Sequence, residues 1–220
     1  MQSSDFFSKS TGKYNVREAL KAYVLEPDED GVFLKVEPVA IPVQVGTAGN
    51  DMMQGSEKMD GQLLTGGEGH DIILGNRSTN IDGGNGNDLL FAGPKGRTLG
   101  GGGNDVIMGS FESVLTGGAG KDIFALGTIR GNSKIRITDF GKGDQIYLQR
   151  TASLMHGFNL KEKFVLGSKA QDSNDRLIFN KQTGALVFDG DGNGRGKGFT
   201  LATFKPGSNI TASSIVVYAY

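Results

Sequence analysis

The sequence predicts an all-β protein in which short strands stack as successive coils of one chain, followed by a C-terminal β region that caps the stack. Three observations lead to this fold class. Glycine accounts for 36 of the 220 residues, while proline accounts for only 5, so the glycines do not belong to a collagen or to a Pro/Gly linker. A motif containing glycine and aspartate recurs at a constant interval. Beyond this repeat, apolar and polar residues alternate as in β-strands.

Composition excludes several classes of function. The chain contains no cysteine, which rules out disulfides, zinc–thiolate sites and a cysteine nucleophile. The formal net charge is −1, so no nucleic-acid partner is expected, although residues 126–220 carry an excess of lysine and arginine. No apolar run is long enough for a membrane span. The N-terminus has no basic segment followed by an apolar one, so no cleaved signal peptide is expected.

Residues 1–45 form the first of three segments and carry no motif that assigns a function. A helical stripe of apolar residues predicts a short helix over Val16–Leu25. A turn is expected at Glu26–Gly31 and a strand at Val32–Val36. Because Pro38 and Pro42 cannot donate backbone hydrogen bonds, residues 37–45 are expected to form an edge or a linker.

Residues 46–125 contain the repeat. Each copy reads G-G-x-G-x-D followed by a short apolar stretch whose middle residue is large, and a degraded copy precedes the first clean one at a longer interval. Four clean matches in one register are not produced by glycine-rich composition alone. The clean copies begin at Gly66, Gly83, Gly100 and Gly117, and the degraded copy begins at Gly46.

The apolar residues of the repeat predict the core of the stack. Glycines suit the tight turn at the start of each copy, and the end of each copy suits a short strand whose eighth position faces inward. One copy cannot bury that face alone, but neighbouring coils cover it. The eighth positions are Ile73, Leu90, Ile107 and Phe124, and the apolar positions expected to face the core from the other half of each coil are Ile81, Leu99 and Leu115.

Residues 126–220 are expected to form strands of a β cap. Alternation predicts strands over Lys134–Thr138 and Gln145–Leu148, separated by a turn at Asp139–Asp144. A hairpin is expected from residues 176–179 and 185–188, because turn-forming residues separate the two apolar runs. Two further strands are expected over residues 200–204 and 215–220.

The aspartates of the repeat point to a cation. If each repeat unit forms one coil, the aspartates lie on one edge at the strand spacing of about 4.8 Å. At that distance, neighbouring carboxylates repel by roughly 3 kcal/mol at an effective dielectric constant of about 20. A cation between the rungs removes this repulsion, and carboxylate and carbonyl oxygens are the ligands that calcium prefers. The opposite edge lacks the motif and is expected to be metal-free. The ladder consists of Asp71, Asp88, Asp105 and Asp122.

The four copies match the G-G-x-G-x-D-x-U-x nonapeptide and thereby resemble the RTX, or hemolysin-type, calcium-binding proteins. More weakly, residues 122–148 and 184–194 resemble the C-terminal region of serralysin-type secreted proteins. The resemblance implies a parallel β-roll of residues 46–125 with calcium ions between successive coils. It also implies passage through a type I secretion apparatus in the unfolded state and folding in external calcium. Residues 210–220 resemble the uncleaved export signal of such proteins, and are equally a plain final strand.

The resemblance also implies a ligand set for each ion. The carbonyls of positions two and four and the aspartate come from one coil, and the carbonyls of positions one and three and the aspartate come from the next. Because the coil is shorter than the family's usual one and half of it lacks the motif, sites are expected along one edge only. The first site pairs Gly67, Gly69 and Asp71 with Gly83, Asn85 and Asp88; the second pairs Gly84, Gly86 and Asp88 with Gly100, Gly102 and Asp105; the third pairs Gly101, Gly103 and Asp105 with Gly117, Ala119 and Asp122; a fourth, across the longer first interval, pairs Thr47, Gly49 and Asp51 with Gly66, Glu68 and Asp71.

A second acidic turn lies in the C-terminal region. Asp189, Asp191 and Asn193 are spaced like the start of an EF-hand loop, but Thr200 stands where the bidentate glutamate belongs and the flanks read as strands. This turn is expected to be either a metal-free glycine-rich hairpin or an isolated calcium site.

No catalytic constellation is recognisable. The chain lacks the H-E-x-x-H of zinc proteases and the G-x-S-x-G of lipases. His70 is expected to be exposed in a turn and not to act as a ligand. His156 has no catalytic or metal-ligating partner at a suitable spacing in the sequence. The protein is therefore expected to be a secreted, non-catalytic calcium-binding protein. Two alternatives remain: a module that binds an extracellular anionic polysaccharide, and the C-terminal module of a larger secreted hydrolase.

Overall fold

A computed structural model of the chain describes residues 41–127, 131–149 and 159–218. Nearly all of its regular structure is β, in 17 short strands. One short helix, α1 (Leu160–Lys163), and a 3₁₀ turn at Ala212–Ser214 lie among the last strands. In chain order the strands are β1 (Val43–Val45), β2 (Met52–Gln54), β3 (Leu63–Glu68), β4 (Ile72–Leu74), β5 (Asn80–Asn85), β6 (Leu89–Phe91), β7 (Arg97–Gly102), β8 (Val106–Gly109), β9 (Val114–Ala119), β10 (Ile123–Leu126), β11 (Ile135–Ile137), β12 (Gln145–Gln149), β13 (Phe164–Leu166), β14 (Leu177–Asn180), β15 (Ala185–Phe188), β16 (Phe199–Thr203) and β17 (Ile215–Tyr218).

The strands form two sheets that share the coils of one parallel β-solenoid. Odd-numbered strands up to β11 form sheet A, and even-numbered strands up to β12 form sheet B. The chain crosses from one sheet to the other at every turn and completes about seven coils. Each residue of a clean copy therefore lies beside its equivalent in the next copy, as Ile73 lies beside Leu90. The expected parallel roll of stacked coils is confirmed.

The core lies between the two sheets and follows the repeat. From sheet B, the eighth position of every clean copy is buried to 0% exposure. From sheet A, the inward residue is the second before the first glycine of each copy, as in Leu64 and Ile81. Both rows belong to one apolar cluster that continues into the C-terminal strands. The predicted inward positions Ile73, Leu90, Ile107, Phe124, Ile81 and Leu115 are confirmed.

The prediction for Leu99 was wrong. Sheet A pairs Ile81 with Thr98 and Thr98 with Leu115, so the third inward position belongs to Thr98. Side chains alternate along a strand, and the distance from the glycines fixes which residue points inward. Leu99 directly precedes Gly100, which places it on the outward side of the strand, and it is only partly buried. Thr98 is 2% exposed, and its hydroxyl has no hydrogen-bond partner.

The C-terminal region adds strands to the end of both sheets and forms a β cap on the stack. Strands β11 and β12 add one further parallel strand to each sheet, and β16 and β17 pair with them in parallel. Strands β14 and β15 form the expected hairpin, with Leu177 opposite Phe188. Aromatic side chains fill the region between, because the ring of Phe204 lies 5.5 Å from that of Phe140 and 6.0 Å from that of Phe179.

At the other end, the coils begin slightly before residue 46. Val43–Val45 pairs in parallel with β3 and is the outermost strand of sheet A, which agrees with an edge at this point. The helix predicted at 16–25, the turn at 26–31, the strand at 32–36 and His156 lie outside the described residues. Among the described residues no helix has the length and apolar character needed to cross a membrane.

The buried hydroxyl of Thr98 generates a prediction about stability. Thr98→Val keeps the shape of the side chain and removes an unpaired polar group, so it is expected to stabilise the fold by about 1–2 kcal/mol. Urea unfolding followed by circular dichroism measures this change. Thr65→Val, at a partly exposed site on the same sheet, is the control and should change stability by less than about 0.5 kcal/mol. Destabilisation by Thr98→Val would contradict the assignment of Thr98 to the core.

Candidate metal centre

At the ends of strands β3, β5, β7 and β9 and in the turns that follow them, the backbone conformation favours glycine at two positions. Positions two and four of every clean copy have a positive φ, between 102° and 145°. Residues with a Cβ rarely adopt this conformation. These positions are Gly67, Gly69, Gly84, Gly86, Gly101, Gly103, Gly118 and Gly120.

The same glycines allow neighbouring coils to approach closely. A Cβ on Gly84 would collide with the carbonyl oxygen of Gly67, and a Cβ on Gly86 would collide with that of Gly69. The carbonyls of positions two and four therefore point along the stack towards the next coil. The contacts repeat without interruption up to Gly118 and Gly120.

The carbonyls of positions one and three point in the opposite direction. The oxygen of Gly83 lies where a Cβ on Gly66 of the preceding coil would stand, and that of Asn85 accepts the amide N–H of Gly69 at 3.0 Å. Four carbonyl oxygens, two from each coil, thus face the space between adjacent turns. These are the carbonyls that the sequence predicted as ligands of the first ion, and the next two coils repeat the arrangement.

The aspartates at position six form a continuous hydrogen-bonded ladder. Each is almost completely buried in the clean copies, and Oδ1 of each accepts the amide N–H of the corresponding aspartate in the preceding coil. Asp88 Oδ1 accepts from Asp71 at 2.8 Å, and Asp105 Oδ1 accepts from Asp88 at 2.9 Å. One carboxylate oxygen of each rung is therefore used to join the coils. The complete ladder runs through Asp51, Asp71, Asp88, Asp105, Asp122 and Asp144.

The second carboxylate oxygen has no partner in three of these rungs. Oδ2 of Asp71, Asp88 and Asp105 is buried and accepts no hydrogen bond. Each of these oxygens lies against the first glycine of its own copy, beside the position-one carbonyl of the next coil. Burying a carboxylate oxygen without a partner is costly. Each of the three sites predicted between clean copies has two aspartates, and these three residues are the aspartates from the earlier coil of each pair.

At the two ends of the ladder, the carboxylates accept hydrogen bonds from other groups of the protein. Asp51 Oδ2 accepts the backbone N–H of Thr47 at 2.6 Å and its hydroxyl at 2.9 Å. Thr47 occupies the place that glycine holds in the clean copies. The carbonyls of Thr47 and Gly49 still point towards the next coil. The fourth predicted site thus has carbonyls in the same orientation but a carboxylate that Thr47 already engages.

At the C-terminal end, Asp139 and Asp144 close the ladder. The carboxylate of Asp139 accepts the amide N–H groups of Gly117 and Gly118 at 2.9 and 2.8 Å. Asp144 is 9% exposed, and its Oδ1 accepts the amide N–H of Asp122 at 3.0 Å. Sequence reasoning missed both residues because the interval here is longer than in the clean copies and the glycine motif is lost. A usable signal was present, since Asp144 directly precedes an alternating strand, as every ladder aspartate does.

Burial and mutual repulsion alter the acidity of the ladder. Burial, reinforced by the charges of Asp88 and Asp122, raises the pKa of Asp105 to about 7. Burial also raises the pKa of Asp88 and of Asp122, with the charge of Asp71 acting on Asp88 and that of Asp144 acting on Asp122. The hydrogen bonds along the ladder only partly offset these effects. The ionised ladder is therefore unfavourable without further positive charge.

A second ladder lies on the outer side of the same turns at position five. The side-chain oxygens of Asn50, Asn87 and Asn104 accept the amide N–H of the next position-five residue. His70 takes part through Nδ1, which accepts the amide N–H of Asn87 at 2.7 Å. His70 is exposed, as expected. This ladder joins successive turns through their position-five side chains.

Ion pairs between side chains of neighbouring coils occur along the opposite edge of the solenoid. Its turns use non-glycine residues with positive φ, among them Lys95, Glu112 and Lys134. Glu112 pairs with Lys134 at 2.6 Å and with Lys95 at 3.7 Å. Positive and negative side chains thus alternate along this edge.

The donor set fits calcium better than a transition metal. Within the residues that the structure describes, no group of three or more acidic, histidine or cysteine side chains converges on one point. Each predicted site contributes only two carboxylates, and the remaining donors are carbonyl oxygens. Six or more oxygen ligands of this kind suit calcium, whereas transition metals prefer imidazole or thiolate. Metal binding by these residues stays a prediction.

The acidic turn near the C-terminus adopts a different arrangement. The loop folds around Asp191, whose Oδ2 accepts the amide N–H of Gly196 at 2.9 Å, and the amide N–H of Asp191 donates to Asp189 at 3.3 Å. The hydrogen bond from Gly196 lowers the pKa of Asp191. Strands β15 and β16 flank the loop, as expected, and an EF-hand would require helices there. Calcium binding at this turn stays open.

No protein-family model matches the chain, and a search of curated proteins finds no significant match. The resemblance to RTX proteins therefore rests on the repeat itself.

The close approach of the coils generates a prediction. Gly103→Ala is expected to destabilise the fold by more than about 2 kcal/mol, because Gly103 has a φ of 127° and its Cβ would collide with the Gly86 carbonyl. The adjacent Gly102→Ala is the matched control. Its Cβ would meet only the side-chain oxygen of Asn85 at 3.0 Å, and the last copy already carries Ala119 at this position. Thermal unfolding of both variants in excess calcium tests this difference, and equal losses would contradict it.

Proposed function

We propose that this protein binds calcium along the aspartate edge of the solenoid and that calcium drives its folding after export from the cell. The observation that carries the proposal is the set of three buried, unpartnered carboxylate oxygens at Asp71, Asp88 and Asp105. Each of these oxygens lies beside the position-one carbonyl of the next coil. A cation there would satisfy these oxygens and neutralise the repulsion between rungs.

Three ions are proposed, one between each pair of clean copies. Each would be held by the two aspartates and four carbonyls assigned to it from the sequence, and Asp88 and Asp105 would each serve two ions. The fourth site is proposed to be weaker or inactive, because Thr47 already donates two hydrogen bonds to Asp51. Calcium would neutralise the carboxylates and bind the oxygens. The glycine turns orient the carbonyl oxygens towards the space between the coils.

Calcium binding on this scale is large enough to decide whether the solenoid folds. An ion that binds only the folded state at a hundred times its dissociation constant adds about 2.7 kcal/mol. Three such ions add about 8 kcal/mol, which is comparable with the total stability of a typical domain. The unfolded chain offers no preformed site, so ion binding and folding are coupled.

This coupling suits a protein that leaves the cell unfolded. We propose that the chain is a substrate of a type I secretion apparatus, that it folds when it meets millimolar external calcium, and that it is non-catalytic. The parallel solenoid and the repeat support this proposal, together with the resemblance of residues 210–220 to an uncleaved export signal. In the structure these residues include β17, the final strand of sheet B.

The first test is a calcium titration. Isothermal titration calorimetry is expected to give three ions per chain, accompanied by a cooperative gain of far-UV β signal at roughly 10⁻⁴–10⁻³ M calcium. Magnesium should not reproduce the gain. Asp105→Asn removes a carboxylate shared by two sites and should weaken binding at both by at least about tenfold. Asp60→Asn, in an exposed turn away from the ladder, is the matched control and should leave binding unchanged. Absence of bound calcium at millimolar concentration would end the proposal.

The raised pKa of Asp105 predicts a pH dependence of stability that saturating calcium removes. In the metal-free protein, folding favours the protonated carboxyl, so this contribution to stability is complete below pH 4 and is lost as the pH rises through about 7. Calcium binds the ionised form, so its affinity should rise over the same interval. The melting temperature is expected to fall from pH 5 to pH 8 in calcium-free buffer and to change little in saturating calcium, because the gain in calcium affinity offsets the lost contribution. Asp105→Asn should reduce the calcium-free slope, and a calcium-free melting temperature that rises with pH would be the contrary result.

A further inference from the structure

The dipeptide Asn-Gly occurs twice in the chain, at Asn85–Gly86 and at Asn193–Gly194. In this dipeptide the backbone nitrogen of glycine can attack the side-chain amide carbon of asparagine, because glycine has no side chain to obstruct the approach. The new bond between nitrogen and carbon closes a succinimide ring. The side-chain nitrogen leaves as ammonia, taking the proton of the attacking N–H. Water then opens the ring at either carbonyl, which yields aspartate or isoaspartate.

The structure holds the two reacting groups of the first dipeptide in opposite directions along the stack. The side-chain Nδ2 of Asn85 donates to Glu68 of the preceding coil at 2.9 Å. The backbone N–H of Gly86 donates to the carbonyl of Gly102 in the following coil at 2.7 Å. Ring closure requires the nitrogen of Gly86 to turn towards the side chain of Asn85, so both hydrogen bonds must break first. Asn85 is exposed to solvent, yet the neighbouring coils hold it away from reaction.

The second dipeptide lies in the acidic turn of the cap and is held less tightly. The N–H of Gly194 donates to the carbonyl of Asp191 in its own turn at 3.3 Å. The side-chain Nδ2 of Asn193 donates to the carbonyl of Gln171 at 3.4 Å. Both distances exceed the usual range for a hydrogen bond of this kind. One chain therefore contains the same reactive dipeptide once under strong restraint and once under weak restraint.

We propose that Asn85 is a modification site that deamidates only when the coils separate, and that the modification impairs refolding of the solenoid. The rate of the reaction then follows the fraction of molecules in which the stack is open. This inference rests on the proposed function only for the cause of opening. If calcium drives folding, a chain without calcium is open to the reaction, and the time it spends unfolded is recorded as a lasting loss of refolding.

Both products disfavour the stacked turn. Aspartate at position 85 has no N–H to donate to Glu68, and it places two carboxylates beside each other on paired strands. Isoaspartate adds one methylene to the main chain between Gly84 and Gly86. Each of these glycines lies so close to a carbonyl of the preceding coil that a Cβ would collide with it. A longer main chain cannot keep both glycines in register.

Peptide mass spectrometry of the full chain, incubated at pH 8 and 37 °C, tests the site. Three incubations are compared: excess calcium, chelator, and chelator with enough urea to unfold the chain. Deamidation of Asn85 is expected to be at least about tenfold slower in calcium than in urea, because only open molecules react. Asn193 is the internal reference and should be slowed much less. Protection of Asn85 no greater than that of Asn193 would overturn the proposal.

Refolding tests the consequence of the modification. After the urea incubation the chain is diluted into calcium, and recovery of the β signal is followed by circular dichroism. The wild type is expected to lose recovery in proportion to the modified fraction of Asn85. Asn85→Ala removes the reactive amide at a position where the last copy carries Ala119, and should keep its recovery. Asn193→Ala is the matched control and should lose recovery as the wild type does. Equal losses in the wild type and Asn85→Ala would overturn the proposal.

The chelator incubation separates this inference from the proposed function. Fast deamidation of Asn85 in chelator is expected if calcium drives folding. Slow deamidation in chelator together with fast deamidation in urea would show that the solenoid folds without calcium. That result would overturn the proposed function and would support Asn85 as a site protected by the fold.

Discussion

The placement of buried carboxylates one above another is the constraint on which the rest of the structure depends. Every coil places its position-six aspartate beside the next one, and the backbone joins them through one oxygen of each carboxylate. The other oxygen of Asp71, Asp88 and Asp105 is left without a protein partner. A fold that aligned these groups by apolar packing alone would accumulate repulsion with each added coil. The proposed cations reverse the sign of this cost, so that the same alignment becomes the source of stability.

Glycine at positions two and four is the second part of the same constraint. The carbonyls that face the space between coils are directed there by a backbone conformation with positive φ. The equivalent glycine of the next coil then leaves room for each carbonyl. A side chain at either position would separate the coils and also turn the carbonyls away. This double demand explains why position three varies among Glu68, Asn85, Gly102 and Ala119 while its neighbours do not.

The repeat was sufficient to predict the coils, the inward apolar rows and the set of oxygens between neighbouring turns, because a constant period fixes all three together. Its failures have separate causes. Leu99 was assigned to the core from its hydrophobicity, whereas counting from the glycines selects Thr98. Asp139 and Asp144 were missed because the last interval is longer and lacks the glycines. The hydrogen bonds from Thr47 to Asp51 are a side-chain contact that no periodic pattern describes.

The two ends of the ladder explain why three ions are proposed and not more. At the first coil a threonine replaces a glycine and supplies donors to the carboxylate, and at the last coil Asp139 occupies the amide groups of Gly117 and Gly118. Between these ends, Oδ2 of Asp71, Asp88 and Asp105 accepts no hydrogen bond, and these are the rungs at which the three ions are proposed.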